Sequence, residues 1–371
     1  MKNGWRWLIA INLGILVIGV LMKVVNDVPN LTYIHLLVDY HFGFIKRALI
    51  GELLSLFMDK VPPSAVFILG SAIIVVTLLL YLKLFQNTFR FSEASMPLFV
   101  FIVGSPFFFK NFVKTIGYFD VYGCAIAIGL LLVPATSFGF VVLAATSSMV
   151  LILIHHLHTL LYVPTIAAIV IVRFFLVRKP TRFELVASAG LAAMIAAEFF
   201  LMQIGGVVRA TPEEFRNYLL SRMADGGVAI EAVSNYLVWY RSASEEITTT
   251  LRELPANLSV SWFYVLLVAL HAPLVRYFRS SISALASQEH RRIVLVLLAA
   301  ISLCHLMIFA VVYDYSRWVS AWAVCVILML HAIKQLPVTQ AVPLIAPDDK
   351  TAFRLAAVLT LIPRVGIVRP F

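Results

Sequence analysis

Long uninterrupted runs of apolar residues dominate the chain, and they lack the strict alternation with polar residues that is typical of half-buried strands. Several runs approach or exceed the roughly 20 residues that a helix needs to cross the hydrocarbon core of a bilayer. Inside lipid every backbone polar group must be paired within the spanning structure, which only helices and closed barrels achieve. The continuous runs therefore predict an all-α, polytopic helical membrane protein.

The apolar runs predict about ten transmembrane helices. Their centres lie near Ile15, Val75, Ile102, Ile126, Ala145, Ile166, Met194, Leu267, Leu298 and Val326. The third run, 96–109, is short and contains Pro106, so we expect a tilted, broken or re-entrant segment there. The C-terminal run, 351–371, is interrupted by arginine and proline residues, and an interfacial position suits it as well as a span does.

Basic residues in the short loops predict the orientation of these spans. Lys2 and Arg6 precede the first run, and basic residues concentrate on the cytoplasmic side, so we expect a cytoplasmic N-terminus. Alternation then places the basic loops 83–90, 173–182, 276–292 and 334–350 on the same side. Because these loops independently indicate the same cytoplasmic side, the sequence predicts one topology. We expect the membrane to be a bacterial inner membrane.

Composition narrows the class of protein further. Hydrophobic residues make up 61% of the chain and charged residues 13%, whereas soluble domains have about 45–50% and 25%. The net charge of +10 is spread over short loops rather than gathered in one patch, which fits contact with membrane lipids and not with nucleic acid. Cys124, Cys304 and Cys325 each lie in an apolar run, without metal-ligand spacing, and are expected to be small core residues.

We expect one integral membrane domain over 1–371, with an extracytoplasmic helical loop over 205–259 within it. The residues at 211–214, Thr-Pro-Glu-Glu, are typical of a helix start, with threonine as N-cap, proline at the first position and acids in the first turn. The glycines at 226–227 are expected to break this helix. A second helical run from residue 228 has an aromatic spacing that suits a helix lying at the membrane interface.

The segment 39–52 follows the first run and carries Asp39, His41, Lys46 and Arg47. A carboxylate can take the proton of an acceptor hydroxyl, and an adjacent Lys-Arg pair can hold a phosphate, with arginine binding it through two hydrogen bonds. An amphipathic interfacial helix with snorkelling cations and a paired aspartate accounts for the same residues. Both interpretations stay open at this point.

Asp120 is expected at the outer boundary of the fourth predicted span. A lone charged group at membrane depth costs about 2.5–3.5 kcal/mol, so Asp120 should have a partner or a water-filled cavity. The simplest alternative to a functional role is an ion pair with Lys114 or Arg47. Lys46, Arg47, Lys110 and Lys114 all lie on the side where basic residues are depleted, and anion binding is one explanation.

His155, His156 and His158 place three imidazoles within four residues. Histidine is a common zinc ligand, but on one helix only His155 and His158 have a suitable spacing, and no cysteine or carboxylate is close in sequence. We therefore expect no metal, and a hydrogen-bonding or acid–base histidine in the same outer cavity. No nucleotide-binding, zincin or nucleophile-elbow motif occurs, so no cofactor is expected.

Arg317 lies between the ninth and tenth predicted spans. Asp314 precedes it by three residues and Trp318 follows it, so an ion pair within an aromatic belt is the simpler interpretation. A phosphate-binding arginine is the alternative. Weaker candidates of the same kind in the outer loop are Arg209, Arg216 and Arg222.

This layout resembles the GT-C class of membrane glycosyltransferases: an acid with basic neighbours in the first outer loop, a second acid at the start of a later span, and a long outer segment. The resemblance implies transfer of a sugar from a polyprenyl-phosphate carrier to a glycan or lipid acceptor at the extracytoplasmic face, with Asp39 as the base. The candidate catalytic residues are Asp39, Asp120, His155, His156 and His158, and the candidate substrate-binding residues are His41, Lys46, Arg47, Lys114 and Arg317.

Other classes fit the same pattern. Surface-polysaccharide polymerases share both the layout and the carrier-lipid chemistry. A secondary transporter or flippase would place ionisable residues near the bilayer midplane within paired halves, whereas here they collect at the outer boundary and no paired halves emerge. A non-catalytic assembly subunit would use the exposed outer helix as its partner surface.

Overall fold

The computed structural model describes residues 2–25, 30–224, 236–240, 243–258, 261–311 and 314–365. Within these ranges the chain is all-helical, with only isolated β-bridges between extended residues. The predicted break at 226–227 and the start of the second helical run at 228 lie outside the described residues, as does the end of the C-terminal run at 366–371.

The helices differ widely in length, and many are short segments separated by one break or turn. They are α1 (Lys2–Val25), α2 (Asn30–Leu37), α3 (Leu49–Ser55), α4 (Ser64–Phe89), α5 (Met96–Val103), α6 (Phe109–Lys114), α7 (Asp120–Leu132), α8 (Gly139–Ile154), α9 (His158–Leu161), α10 (Val163–Val170), α11 (Arg182–Gly205), α12 (Pro212–Ser221), α13 (Ala243–Leu258), α14 (Trp262–Leu270), α15 (Ala272–Ser283), α16 (Gln288–Val311), α17 (Tyr315–Ile333) and α18 (Lys350–Leu361). A π-helical turn, Ile171–Phe175, continues α10.

Among the described residues, six helices are long and apolar enough to cross a membrane. Five of them are α1, α4, α11, α16 and α17, and the sixth is the continuous stretch His158–Phe175. A seventh results if α14 and α15, which are bent by 68° at their junction, form one span. A polytopic helical membrane protein is therefore supported, but the predicted count of ten is not confirmed.

Three predicted spans form helices that are short for a bilayer. The runs near Ile102, Ile126 and Ala145 form α5, α7 and α8, with 8, 13 and 16 residues. At about 1.5 Å per residue these helices are shorter than a hydrocarbon core of about 30 Å. The break expected around Pro106 is confirmed, because α5 ends at Val103 and α6 begins only at Phe109.

Close packing of α7 positions the candidate site. This helix packs against α4 and α17, and also against α8, α9 and α10. A Cβ added to Gly123 of α7 would lie 2.2 Å from Cδ2 of Tyr162, so only glycine permits the observed approach. The N-terminal end of α7 thereby comes next to the first turn of α17 and the end of α8.

The two ends of the helical bundle carry different polar groups. At one end, called the site end, Arg317 binds Asp120, and the amide of Lys46 donates to the carbonyl of Gly206. At the opposite end, Arg173 donates to the carbonyl oxygens at the C-terminus of α7 and to Gln335. The alternation of spans predicted from the sequence likewise places these two sets of groups on opposite sides of the membrane.

The helix start predicted at 211–214 is confirmed. The side chain of Thr211 accepts a hydrogen bond from the amide of Glu214 at 3.2 Å, and the Glu214 carboxylate accepts from the amide of Thr211 at 2.8 Å. This reciprocal capping pattern satisfies two backbone donors that a helix start would otherwise leave without partners. It fixes the first turn of α12, the helix whose C-terminal end contributes to the site.

Cysteine labelling will test the orientation. In a chain whose three cysteines, Cys124, Cys304 and Cys325, are replaced by serine, we expect the single-cysteine variant Ser280→Cys to react from the cytoplasmic side and Ser244→Cys from the outer side. The reason is that the segment 276–292, which contains Ser280, is rich in basic residues, and such residues concentrate on the cytoplasmic side. Both side chains are exposed. Labelling of both from the same side would contradict the topology.

Candidate functional site

The site end holds a set of buried ionisable side chains that we call the basic cluster. Each of these residues, counted with its backbone, is at most 7% exposed. Its members are His35, Lys46, Arg47, Asp120, His155, His156, His158 and Arg317. The His155 ring centroid lies 6.3 Å from that of His35, 5.2 Å from that of His156 and 6.0 Å from that of His158. The structure thus brings together seven residues predicted from sequence and adds His35.

Asp120 and Arg317 form a buried two-point ion pair. Nε of Arg317 donates to Oδ2 of Asp120 at 2.7 Å, and Nη2 donates to Oδ1 at 2.9 Å. The expected partner for this carboxylate is therefore present, but it is Arg317 rather than Lys114 or Arg47. The pair joins the first turn of α7 to the first turn of α17 and holds the guanidinium in one orientation.

The same guanidinium also contacts groups outside the pair. Its Nη1 donates to Oδ2 of Asp314 at 3.3 Å, so the local ion pair expected from sequence is present as well. Its central carbon lies 3.9 Å from the Tyr118 ring centroid and 4.7 Å from that of Trp318. Aromatic faces attract a cation in this position, and they limit the rotation of the Arg317 side chain.

The three clustered histidines lie at a break between helices and not on one helix. α8 ends at Ile154, His155 has an extended backbone (φ −158°, ψ 111°), and α9 begins at His158. Nδ1 of His155 accepts a hydrogen bond from the amide of Leu157 at 3.1 Å. Nδ1 of His156 has no hydrogen-bond partner among the described residues. The break therefore contains a buried imidazole nitrogen without a hydrogen-bond partner in the described part of the chain.

His35, in α2, is a cluster member that sequence reasoning missed. Its ring stacks on Phe119 at 5.0 Å and meets the edge of Trp239 at 5.4 Å. Neither ring nitrogen has a hydrogen-bond partner in the described part of the chain, although the side chain is only 1% exposed. The available signal was a lone histidine, four residues before Asp39, in an otherwise apolar stretch of the first outer segment.

Burial and nearby cations keep the imidazoles neutral. Burial lowers the pKa of His35 well below its ordinary value, and the charges of Arg47 and Arg317 act in the same direction. Burial, followed by the charge of Arg47, likewise lowers the pKa of His155 and of His156. At neutral pH these rings can therefore accept or donate a hydrogen bond without adding charge.

The backbone at Lys46 and Arg47 is fixed in an unusual conformation. Arg47 has φ +65°, in the left-handed region, which costs a residue with a Cβ roughly 1–2 kcal/mol. The amide of Lys46 donates to Gly206, and its carbonyl accepts from Nε1 of Trp239 at 2.9 Å. Such strain persists where surrounding contacts enforce it, and it is concentrated at functional sites.

Asp39 and His41 belong to a second network, formed with α12. Oδ2 of Asp39 accepts from Tyr218 at 2.6 Å and from Arg222 at 2.5 Å, and Oδ1 accepts from the amide of His41 at 3.0 Å. The His41 ring stacks on Tyr218 at 4.2 Å. Burial and the hydrogen bond to Asp39 raise the pKa of Tyr218, which keeps its hydroxyl a donor. We call this set the α12 network.

The partner of Asp39 differs from the one that an amphipathic-helix interpretation suggests. That interpretation would pair Asp39 with a cation of its own segment, but Arg222, at the C-terminal end of α12, takes this position and is only 5% exposed. Arg222 also donates to the carbonyl of Leu37 at 2.8 Å. The end of α12 therefore supplies a residue that orients the Asp39 carboxylate.

Lys114 has a partner outside the basic cluster. Its ammonium group donates to the carbonyl of Val365 at 3.2 Å. Lys110, one turn earlier, donates to three carbonyl oxygens near the end of α18, those of Leu359, Thr360 and Ile362. Capping a helix C-terminus explains a buried lysine at this position without an anionic ligand.

No relative assigns a function to these residues. Comparisons with protein-family models, with curated proteins and with solved structures found no match. Among the described residues, no group of three or more His, Cys, Asp and Glu side chains is placed to hold a metal ion. The interpretation of the site therefore depends on the chemistry of the basic cluster and the α12 network.

Proposed function

We propose that the chain is a membrane glycosyltransferase that moves a sugar from a polyprenyl-phosphate carrier to a glycan or lipid acceptor at the extracytoplasmic face. The observation that carries the proposal is the buried basic cluster, in which three cations and four imidazoles accompany one carboxylate. Ionisable residues buried in a membrane protein are costly and usually functional. A phosphate group bound to a lipid is an anion that reaches such a depth.

The cluster has the groups needed to hold a phosphate. Arg47 and Lys46 supply positive charge, Arg317 supplies a guanidinium whose orientation Asp120 fixes, and the neutral imidazoles of His35 and His156 supply hydrogen-bonding nitrogens. In glycosyl transfer the bond between the anomeric carbon and the carrier phosphate breaks, and negative charge grows on the departing phosphate. Preorganised cations stabilise that charge mainly in the transition state.

Asp39 is the proposed base. Among the described residues its carboxylate accepts three hydrogen bonds, from Tyr218, Arg222 and the amide of His41. An ionised carboxylate has about four acceptor positions, so one is left for the hydroxyl of an acceptor. As the acceptor oxygen bonds to the anomeric carbon, its proton passes to Asp39, and the polyprenyl phosphate leaves as the anion.

A lipid-binding experiment tests the cluster. Arg47→Gly should weaken binding of a fluorescent polyprenyl phosphate to the purified protein by about tenfold to a hundredfold, the worth of a hydrogen bond to a charged group. Glycine accepts φ +65° without strain, so the backbone conformation at this position should be kept.

The control variant is Lys83→Gln, which removes one exposed cation from the end of the bundle opposite the site. Glutamine is chosen because glycine at this position would destabilise α4. The Lys83→Gln variant should bind like the unmodified chain. Unchanged lipid binding by a well-folded Arg47→Gly variant would return Lys46 and Arg47 to a snorkelling role and remove the main support for the proposal.

A further inference from the structure

A groove at the end of the bundle opposite the site has no role in the proposed reaction. Its volume is about 370 Å³, and its polar lining consists of Asn87, Thr88, Arg173, Lys334 and Gln335. The other lining residues are apolar, and none of the described lining residues is an aspartate or a glutamate. Asn87 and Gln335 are exposed, so the groove opens to the surface. Two cations without an acid give it a positive charge.

Arg173 is a built part of this groove. It is 8% exposed, its Nε donates to the amide oxygen of Gln335 at 2.7 Å, and its Nη2 donates to the carbonyl of Val133 at 2.9 Å. Nη1 donates to the carbonyl of Leu130. These partners carry no formal charge, and arginine has five N–H donors, so part of its charge and two donors are left for a ligand.

Lys334 faces the same groove from the end of α17. Its ammonium group lies 4.8 Å from the Tyr277 ring centroid, and the side chain is half-buried. Beneath the groove, Nδ1 of the fully buried His331 lies 2.9 Å from Oγ1 of Thr88. The polar floor and the cations are thus held in place by contacts within the protein, while apolar walls stand beside them.

We propose that this groove binds the phosphate headgroup of an anionic membrane phospholipid. The cations suit the phosphate, the exposed amides of Asn87 and Gln335 suit the polar headgroup, and the apolar lining suits the first part of an acyl chain. Basic pockets between helices at the cytoplasmic surface bind lipids in this way. The predicted orientation places this end at the cytoplasmic leaflet of the membrane, which carries anionic lipids. This inference does not rest on the proposed glycosyl transfer.

Thermal unfolding of the purified full chain in detergent tests the inference. Added phosphatidylglycerol should raise the unfolding midpoint, and phosphatidylcholine at the same concentration should leave it unchanged. Lys334→Gln should weaken the apparent affinity for phosphatidylglycerol by about fivefold to tenfold, since one basic residue near the surface contributes about 1 kcal/mol. Lys83→Gln, which removes an exposed lysine that does not line the groove, should leave the affinity unchanged.

Two different results would overturn the inference that the groove binds an anionic phospholipid. Equal affinities for phosphatidylglycerol in Lys334→Gln and in the unmodified chain would overturn the assignment. Inorganic phosphate that stabilises the chain as strongly as the lipid would overturn it too, in favour of a soluble phosphate compound. The variant is suited to the test because Lys334 contacts the aromatic ring of Tyr277, so the substitution removes a contact with a neutral group.

Discussion

Replacing Asp39 by asparagine is expected to lower the rate of glycosyl transfer by about 10²–10⁴-fold, the usual contribution of a general base. The amide keeps the shape of the side chain and can still accept from Tyr218, but it cannot take a proton. Donor affinity should change little, because we propose that the basic cluster, and not the α12 network, holds the phosphate. Transfer rate and donor affinity must be measured on the same purified variant.

If Asp39 has only a structural role, the main effect of Asp39→Asn should be a loss of stability, because Arg222 would lose its buried partner. The double variant Asp39→Asn/Arg222→Gln separates the two roles, since it removes both charges of the pair. If Asp39 only stabilises the loop, the double variant should recover stability and transfer together. If Asp39 is the base, stability should recover and transfer should not. Near-normal transfer by Asp39→Asn alone would contradict the assignment, and Asp120 would be tested next.

Asp120→Asn is expected to destabilise the folded protein by about 3–5 kcal/mol, because it leaves the buried guanidinium of Arg317 without its two-point partner. The side chains of this pair are 8% and 6% exposed, so solvent compensates little for the loss. The measurement is the free energy of unfolding in mixed micelles, where a denaturing detergent is added in steps.

Asp314 provides the matched control, because it binds the same arginine from a position where its side chain is 37% exposed. Asp314→Asn should cost less than about 1 kcal/mol, as for other solvent-exposed ion pairs. Equal losses in the two variants would show that burial does not determine the contribution of each carboxylate, and the description of Asp120 as the anchor of Arg317 would be wrong.

Local sequence patterns predicted local structure well. The capping residues Thr211 and Glu214 and the break around Pro106 each depend on a few neighbouring residues, and both features are confirmed. The number of spans could not be predicted in the same way. Apolar character alone does not show where a helix ends, as the extended backbone of His155 at the end of α8 illustrates.

Partners within the site could not be predicted from spacing. Arg317 and Asp120 are 197 residues apart in sequence, and Arg222 and Asp39 are 183 apart. Which cation meets which carboxylate depends on how the helices pack, so spacing offered Lys114 or Arg47 as the alternative partners of Asp120, whereas the structure pairs it with Arg317. The predicted alternation of spans nevertheless placed most cluster members on the same side of the membrane. In the structure these residues lie at the same end of the bundle.

The release of polyprenyl phosphate from lipid-linked sugars tests the central claim most directly. The purified chain would be incubated with acceptors and with lipid-linked sugars extracted from cells that lack it, and the lipid products identified by mass spectrometry. We predict that the unmodified chain converts a lipid-linked sugar to the free carrier phosphate and that Asp39→Asn does not. Transport of the donor across the membrane without breakage of its sugar–phosphate bond would contradict the proposal and indicate a flippase.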